Sequence, residues 1–221
     1  MIKIRAIHKS GSTLQNAIYV YINNLCDEKI IDFDRLNIHN KKKLEKEVKE
    51  SDIVILRHPV NRMISHYYSH GWTHSTSEFD SKAWELRELI KKISLDDFVL
   101  SGRLFYQSSI YETIFNNRTC KILRYEDMMN NPRGYILFIL KKIKCRHLFG
   151  KVYGRFKKEF EFSGQDLSDD IINNGLMTHR RNLDHQEYLN KFQNDCQIYF
   201  INKIIGDVLK KYDRLDDQTI N

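Results

Sequence analysis

Residues 1–21, MIKIRAIHKSGSTLQNAIYVY, constrain the fold more than any other stretch. Ile2, Ile4 and Ala6 to Ile7 alternate as in a strand. His8-Lys9-Ser10-Gly11-Ser12-Thr13 follows as a loop of small and hydroxyl residues with one lysine. Leu14, Ala17, Ile18, Tyr21, Ile22 and Leu25 then recur at helical spacing. A strand, a short loop and a helix in that order make an anion cradle. The loop amides and the positive end of the helix dipole converge on one spot.

Further strand and helix patterns alternate along the chain. Lys29 to Phe33 reads as a short strand, and Lys41 to Glu50 as a charged helix whose opposite charges sit at helical spacing. Asp52 to Leu56 is an unbroken apolar run that suits a central parallel strand buried on both faces. Arg57-His58-Pro59 follows, then a helical pattern through Met63, Ile64, Tyr67 and Tyr68. Pro59 is well placed at its start, where a missing N–H costs nothing. Gly71 to Asp80 reads as a loop.

Trp84 to Ile93 and Leu95 to Leu100 are helical pieces, the second started by Ser94 with Asp96 and Asp97. Phe105 to Phe115 is helical, Thr119 to Arg124 a strand, and Pro132 to Lys144 an amphipathic helix. Val152 to Asn174 has a weak pattern and predicts irregular structure with a short helix. Met177 to Leu189 is polar, and Asp195 to Tyr212 is a strong final helix. With no repeat and no linker, the expectation is one α/β domain over residues 1–221. Its core is a central, mostly parallel β-sheet flanked by helices.

A chain of 221 residues suits one such domain. A net charge of +7 and a pI near 9.1 point to an anionic ligand, a nucleic acid or an acidic surface, and solubility alone also accounts for them. Cys26, Cys120, Cys145 and Cys196 lie far apart with no CxxC, which argues against zinc. Cys120 and Cys196 have apolar neighbours and read as core thiols in a reducing compartment. His66 and His70 are spaced four apart like two zinc ligands, but the glutamate of HExxH is missing, so no metal is expected. The N-terminus has no signal-peptide core, and apolar runs such as Tyr135 to Leu140 are too short to span a membrane. A soluble, cytoplasmic protein is expected.

Ligands of parallel sheets bind beyond the C-terminal strand ends. Three expected strands end in Lys9 to Thr13, in Arg57 and in Tyr125. The loop is not a Walker A sequence, because GxxxxGK[ST] is absent and the lysine precedes the glycine. Arg57 stands where a Walker B aspartate would be sought. An ordinary ATPase is therefore disfavoured.

His8 to Gln15, HKSGSTLQ, resembles the 5′-phosphosulfate loop of the sulfotransferases that use 3′-phosphoadenosine-5′-phosphosulfate (PAPS). That family has an α/β fold like that of the P-loop NTPases. Ile55 to Tyr68, ILRHPVNRMISHYY, is similar to its second element, with Arg57, Pro59 and Ser65 in the family spacing. Leu123 to Pro132, LRYEDMMNNP, looks like its Tyr-Glu-Asp segment. The three pieces keep the family order over more than half the chain.

The resemblance implies roles for each residue. Lys9 contacts the phosphosulfate and stabilises or protonates the leaving oxygen. Ser10, Gly11, Ser12 and Thr13 bind the 5′-phosphate. Arg57 and Ser65 hold the 3′-phosphate, and Tyr125 lies near the adenine or its phosphate. Arg180 and Arg181 are the candidates for the family's basic pair on the 3′-phosphate. Asn182 stands where the family has glycine, and His8 where it usually has proline. His39, in LNIHNKKK, is the nearest match to the histidine that serves part of the family as catalytic base.

PAPS is the implied donor, with no metal required and no nucleic-acid partner. The acceptor is a hydroxyl or amine of a small molecule, carbohydrate or peptide. A nucleotide or small-molecule kinase with a degenerate loop, and a non-catalytic module binding PAPS or nucleic acid, remain as other readings. The acceptor's identity and the oligomeric state stay open.

Overall fold

The computed structural model describes residues 1–73, 81–117, 119–163, 192 and 194–215. They fall into two compact units. The first comprises Met1–His58, Ser109–Phe160 and Asp207–Asn221; the second comprises Pro59–Ser108 and Glu161–Gly206.

The first unit is built on a four-stranded sheet in the order β2-β1-β3-β4, with every pairing parallel. The strands are β1 (Ile2–Ala6), β2 (Ile31–Arg35), β3 (Ile53–Leu56) and β4 (Lys121–Arg124). All four residues of β3 are buried, as an unbroken apolar run between two neighbours requires. β2 is the edge strand and runs two residues further than its apolar pattern suggests. Asp34 and Arg35 are exposed, yet they pair in register with Arg5 and Ala6. β4 starts at Lys121, two residues later than expected.

Helices flank this sheet: α1 (Ser12–Leu25), α2 (Lys41–Lys49), α7 (Tyr125–Asn130), α8 (Pro132–Lys142) and α9 (Phe149–Ser163). α6 (Arg103–Asn117) and α10 (Asp195–Asp213) each contribute part of their length to this unit. Ile4, Ala6, Ile53, Ile55 and Leu123 alternate onto one face of the sheet. There they pack with Ile18, Tyr19 and Ile22 of α1, with Tyr135, Ile136, Ile139 and Leu140 of α8, and with Val152 and Phe156 of α9. The hydroxyls of Tyr19 and Tyr135 hydrogen-bond to each other inside this layer. Asn131 caps α8, its Oδ1 accepting from Gly134 N at 2.9 Å.

α9 is the helix of the stretch expected to be irregular with a short helix, and it starts before Val152, at Phe149. Its apolar residues include Phe149, Val152, Tyr153 and Phe156, with Gly150 and Gly154 among them. Burial of Val152 and Phe156 against the sheet layer, rather than propensity, sustains the helix. The rest of that weak stretch, residues 164–174, lies outside the described residues. The cysteine reading also changes. Cys120 is half-buried and Cys196 is exposed, while Cys26 and Cys145 face each other with sulfurs 3.7 Å apart.

The second unit is helical. It contains α3 (Pro59–Tyr68), which Pro59 opens, followed by a π-helical turn over Ser69–Thr73 that takes in the first three residues of the loop expected over Gly71 to Asp80; the rest of that loop lies outside the described residues. α4 (Ser81–Lys91) and α5 (Leu95–Val99) follow. Ser94 caps α5, accepting from Asp97 N at 3.0 Å. Tyr67 OH donates to Ile93 O at 2.9 Å, and the rings of His66 and His70 meet edge to face at 4.2 Å. Among the described residues no helix is long and apolar enough to cross a membrane.

Candidate anion site at the strand ends

In the order β2-β1-β3-β4 the chain leaves β1 towards β2 and then crosses back past β1 to reach β3. The connections after β1 and β3 therefore part in opposite directions, which opens a crevice between those two strand ends. The β1–α1 loop and Arg57 flank this switch point. Ile7 N still pairs with Ile55 O at 3.0 Å, so the two ends are tied up to the point where they diverge.

The loop itself is a tight turn. Ser10 N returns to Ile7 O at 3.2 Å, and Lys9 takes a left-handed φ of 72°. That conformation costs a residue with a Cβ about 1 kcal/mol. Gly11, at φ 69° and ψ 26°, is the residue before α1. A Cβ there would lie 2.5 Å from Tyr125 Cε2, so the Tyr125 ring has its place only because residue 11 is glycine. No side chain caps α1, and its first turn holds no acidic residue. Among the described residues its leading N–H groups thus have no side-chain cap and no acidic neighbour in the first turn, which suits an anion site.

Polar atoms around the loop are buried without partners among the described residues. Ser10 is fully buried and its Oγ has none. Gln15 donates through Nε2 to Ser10 O, while its Oε1 has none. Arg57 Nε is buried and likewise unmatched. Each such group costs about 1–3 kcal/mol if left unsatisfied. A phosphoryl or sulfuryl oxygen supplies the acceptors that the Ser10 hydroxyl and Arg57 Nε lack. These residues therefore fit an oxyanion ligand.

Arg57 reaches back to the loop, its Nη1 donating to Lys9 O at 3.2 Å. Its guanidinium also lies over the Tyr125 ring, 5.2 Å from the centroid. Arg124, one strand over, is paired with Asp127 at 2.5 Å. Arg57 makes no ion pair among the described residues. His58, beside it, is no proton carrier at neutral pH. Burial, with Arg57 and Arg124 nearby, pushes its pKa from 6.5 to about 3.

The structure thus brings Lys9, Ser10, Gly11, Ser12, Arg57 and Tyr125 together. Thr13 is exposed on the first turn of α1. His39 is exposed in the turn between β2 and α2, its amide donating to Asn37 Oδ1 at 3.2 Å. Ser65 is half-buried on the second turn of α3, in the second unit. Arg180 and Arg181 lie outside the described residues.

Sequence reasoning missed Arg35. Its Nε donates to Ser12 Oγ at 3.1 Å and sets a second guanidinium beside the α1 N-terminus. The signal was the parallel register, which puts Arg35 opposite Ala6 at the end of β1. Among the described residues no group of three or more His, Cys, Asp or Glu side chains could hold a metal ion. No protein-family model matches the chain, and a search of curated proteins finds no significant match.

Proposed function

We propose that this protein is a PAPS-dependent sulfotransferase, of P-loop NTPase-like fold, acting on a hydroxyl or amine. The observation that carries the reading is the convergence of the uncapped α1 N-terminus, the left-handed Lys9–Gly11 loop and Arg57 at one switch point. Three sequence segments that resemble the family supply the loop, Arg57 and Tyr125 at that place.

Bound PAPS supplies an activated sulfuryl group, whose in-line transfer builds negative charge on the leaving oxygen. In this reading the loop amides from Gly11 to Thr13 and the Ser10 and Ser12 hydroxyls bind the 5′-phosphate end. Lys9 stabilises the charge that develops there, and Arg35 adds to the positive field through Ser12. Arg57 holds the 3′-phosphate, a group for which the family resemblance also names Ser65. A planar guanidinium fork suits a phosphate better than an ammonium does. His39 takes the proton of the acceptor. The resemblance also names Arg180 and Arg181 for that phosphate, and both lie outside the described residues.

Titration calorimetry with the desulfated nucleotide PAP, with ATP and with a DNA oligomer tests the reading. PAP binding without metal, and more tightly than ATP, supports it. Magnesium-dependent ATP binding equal to or tighter than PAP binding overturns it in favour of a kinase. Preferential DNA binding overturns it in favour of a nucleic-acid module. Turnover of labelled PAPS across phenol, sugar and peptide acceptors then identifies the substrate.

A further inference from the structure

The peptide group between Arg57 and His58 lies just past the last ladder residue of β3, Leu56, where the sheet no longer holds it. Side chains hold it instead, from both sides. Its carbonyl accepts from the hydroxyl of Tyr111 on α6. Its N–H donates to Glu126 Oε1 at 2.9 Å. The other oxygen of Glu126 accepts from the hydroxyl of Tyr212 on α10. Tyr212 also reaches Leu56 O at 3.5 Å and meets the His58 ring edge to face at 5.6 Å. Tyr111, Glu126 and Tyr212 are all buried.

The C=O and N–H of a trans peptide point in opposite directions. Holding both from opposite sides stops that plane from rotating about its flanking bonds. The plane fixes where the Arg57 Cα–Cβ bond points, and so where its guanidinium can reach. Two buried polar side chains from distant parts of the chain, Tyr111 and Glu126, thus hold one peptide, and a third, Tyr212, holds Glu126. Ordinary strand ends make no such demand. The cost of burying a carboxylate and two phenols is met only because each finds a partner here.

We propose that Tyr111, Glu126 and Tyr212 are positioning residues that aim Arg57, and that they thereby set the preference for a nucleotide carrying a 3′-phosphate. The inference rests on Arg57 binding that phosphate, as read above. Tyr111→Phe and Tyr212→Phe each keep the ring and remove one hydroxyl. Each is titrated, beside the unaltered protein, with PAP and with AMP, which lacks the 3′-phosphate.

Loss of one such buried hydrogen bond is expected to weaken PAP binding about fivefold in Tyr111→Phe. AMP binding stays within about twofold, because the loop that holds the 5′ end is untouched. Tyr212→Phe, which acts through Glu126, shows a smaller change in the same direction. A purely structural role lowers the melting temperature and leaves the PAP-to-AMP ratio where it was. If the unaltered protein prefers PAP and neither variant changes the ratio, the positioning role is overturned while the sulfotransferase reading stands. If the unaltered protein shows no preference for PAP over AMP, both fall.

Discussion

The Arg57 guanidinium lies 5.2 Å from the centre of the Tyr125 ring, and the edge of that ring fills the space above Gly11. A residue after β3, one after β4 and one after β1 therefore share a single contact, although 46 and 68 positions separate Gly11 from Arg57 and Arg57 from Tyr125. The contact explains why arginine, rather than any cation, stands at position 57. A planar guanidinium can lie on the ring and still direct its edge to a ligand. Arg57→Lys keeps the charge and loses both the stacking and the fork. PAP affinity is expected to fall about tenfold or more, with the fold intact. Calorimetry at fixed salt checks it, and unchanged affinity would remove Arg57 from the site.

Gly11→Ala tests the same contact from the other side. The left-handed φ of 69° costs a residue with a Cβ about 1 kcal/mol. The new methyl would also meet Tyr125 Cε2 at 2.5 Å, so the ring has to shift. A loss of about 2 kcal/mol in stability is expected from the two effects together, read from urea unfolding. PAP binding should weaken as well, because the displaced ring carries Arg57 with it. A neutral Gly11→Ala variant would contradict the packing described.

Lys9→Ala separates binding from chemistry. Lys9 is one of several positive groups around the loop, beside the amides of α1, Arg57 and Arg35, so PAP binding should largely survive its loss. Its assigned task is the charge that appears only as the sulfuryl group leaves. Turnover should therefore collapse by about a hundredfold or more. Stopped-assay rates with labelled PAPS, set against PAP affinity, give the comparison. Undiminished turnover would overturn the role of Lys9.

The parts of the fold legible in the sequence are those where local pattern and tertiary environment agree. Asp52 to Leu56 reads as a buried strand because both of its faces are buried, and Ser94 and Pro59 mark helix starts by chemistry confined to one turn. Only a short helix is expected where α9 runs 15 residues, because two glycines weaken a pattern whose stability comes from the sheet layer beneath it. Cys196 was misplaced because apolar sequence neighbours on a helix do not all share its face. In the site, Lys9 to Thr13 were visible as a run. Arg35 was not, since only the β1–β2 register carries it to Ser12. Tyr111 and Tyr212 are likewise invisible, because the partner of the first is a backbone carbonyl and that of the second a carboxylate 86 positions away, and no motif names either.

Cys26 ends α1 and Cys145 follows α8, 119 residues away, with sulfurs 3.7 Å apart. Burial and the neighbouring Cys145 push the Cys26 thiol up to about 11, so little thiolate is present at neutral pH. Diamide, which accepts two electrons and two protons, should join the pair as a disulfide. Two of the four thiols are expected to disappear, and a Cys26–Cys145 linked peptide to appear in the mass map. The rate should climb as pH rises towards 11. Closing so long a loop stabilises by about 5 kcal/mol on chain-entropy grounds, visible as a raised melting temperature. Retention of all four thiols would refute the pairing.

His58 gives the protein a definite response to mild acid. Its folded pKa is pushed from 6.5 to about 3 by burial and by Arg57 and Arg124. Between those values the unfolded chain takes up a proton at His58 that the folded chain refuses. Stability from this group is thus complete above about pH 6.5 and drains away as pH falls towards 3, at up to about 1.4 kcal/mol per pH unit. Asp32 acts lower: with Lys29 and Arg5 holding it at about 2, its contribution is lost only below about pH 4. The interval from pH 4 to 6.5 separates the two. His58→Phe keeps a ring against Tyr212 and removes the titration. Unfolding free energies measured across that interval should fall with acid more steeply for the unaltered protein than for His58→Phe. Parallel curves would show that His58 is not held neutral in the folded state.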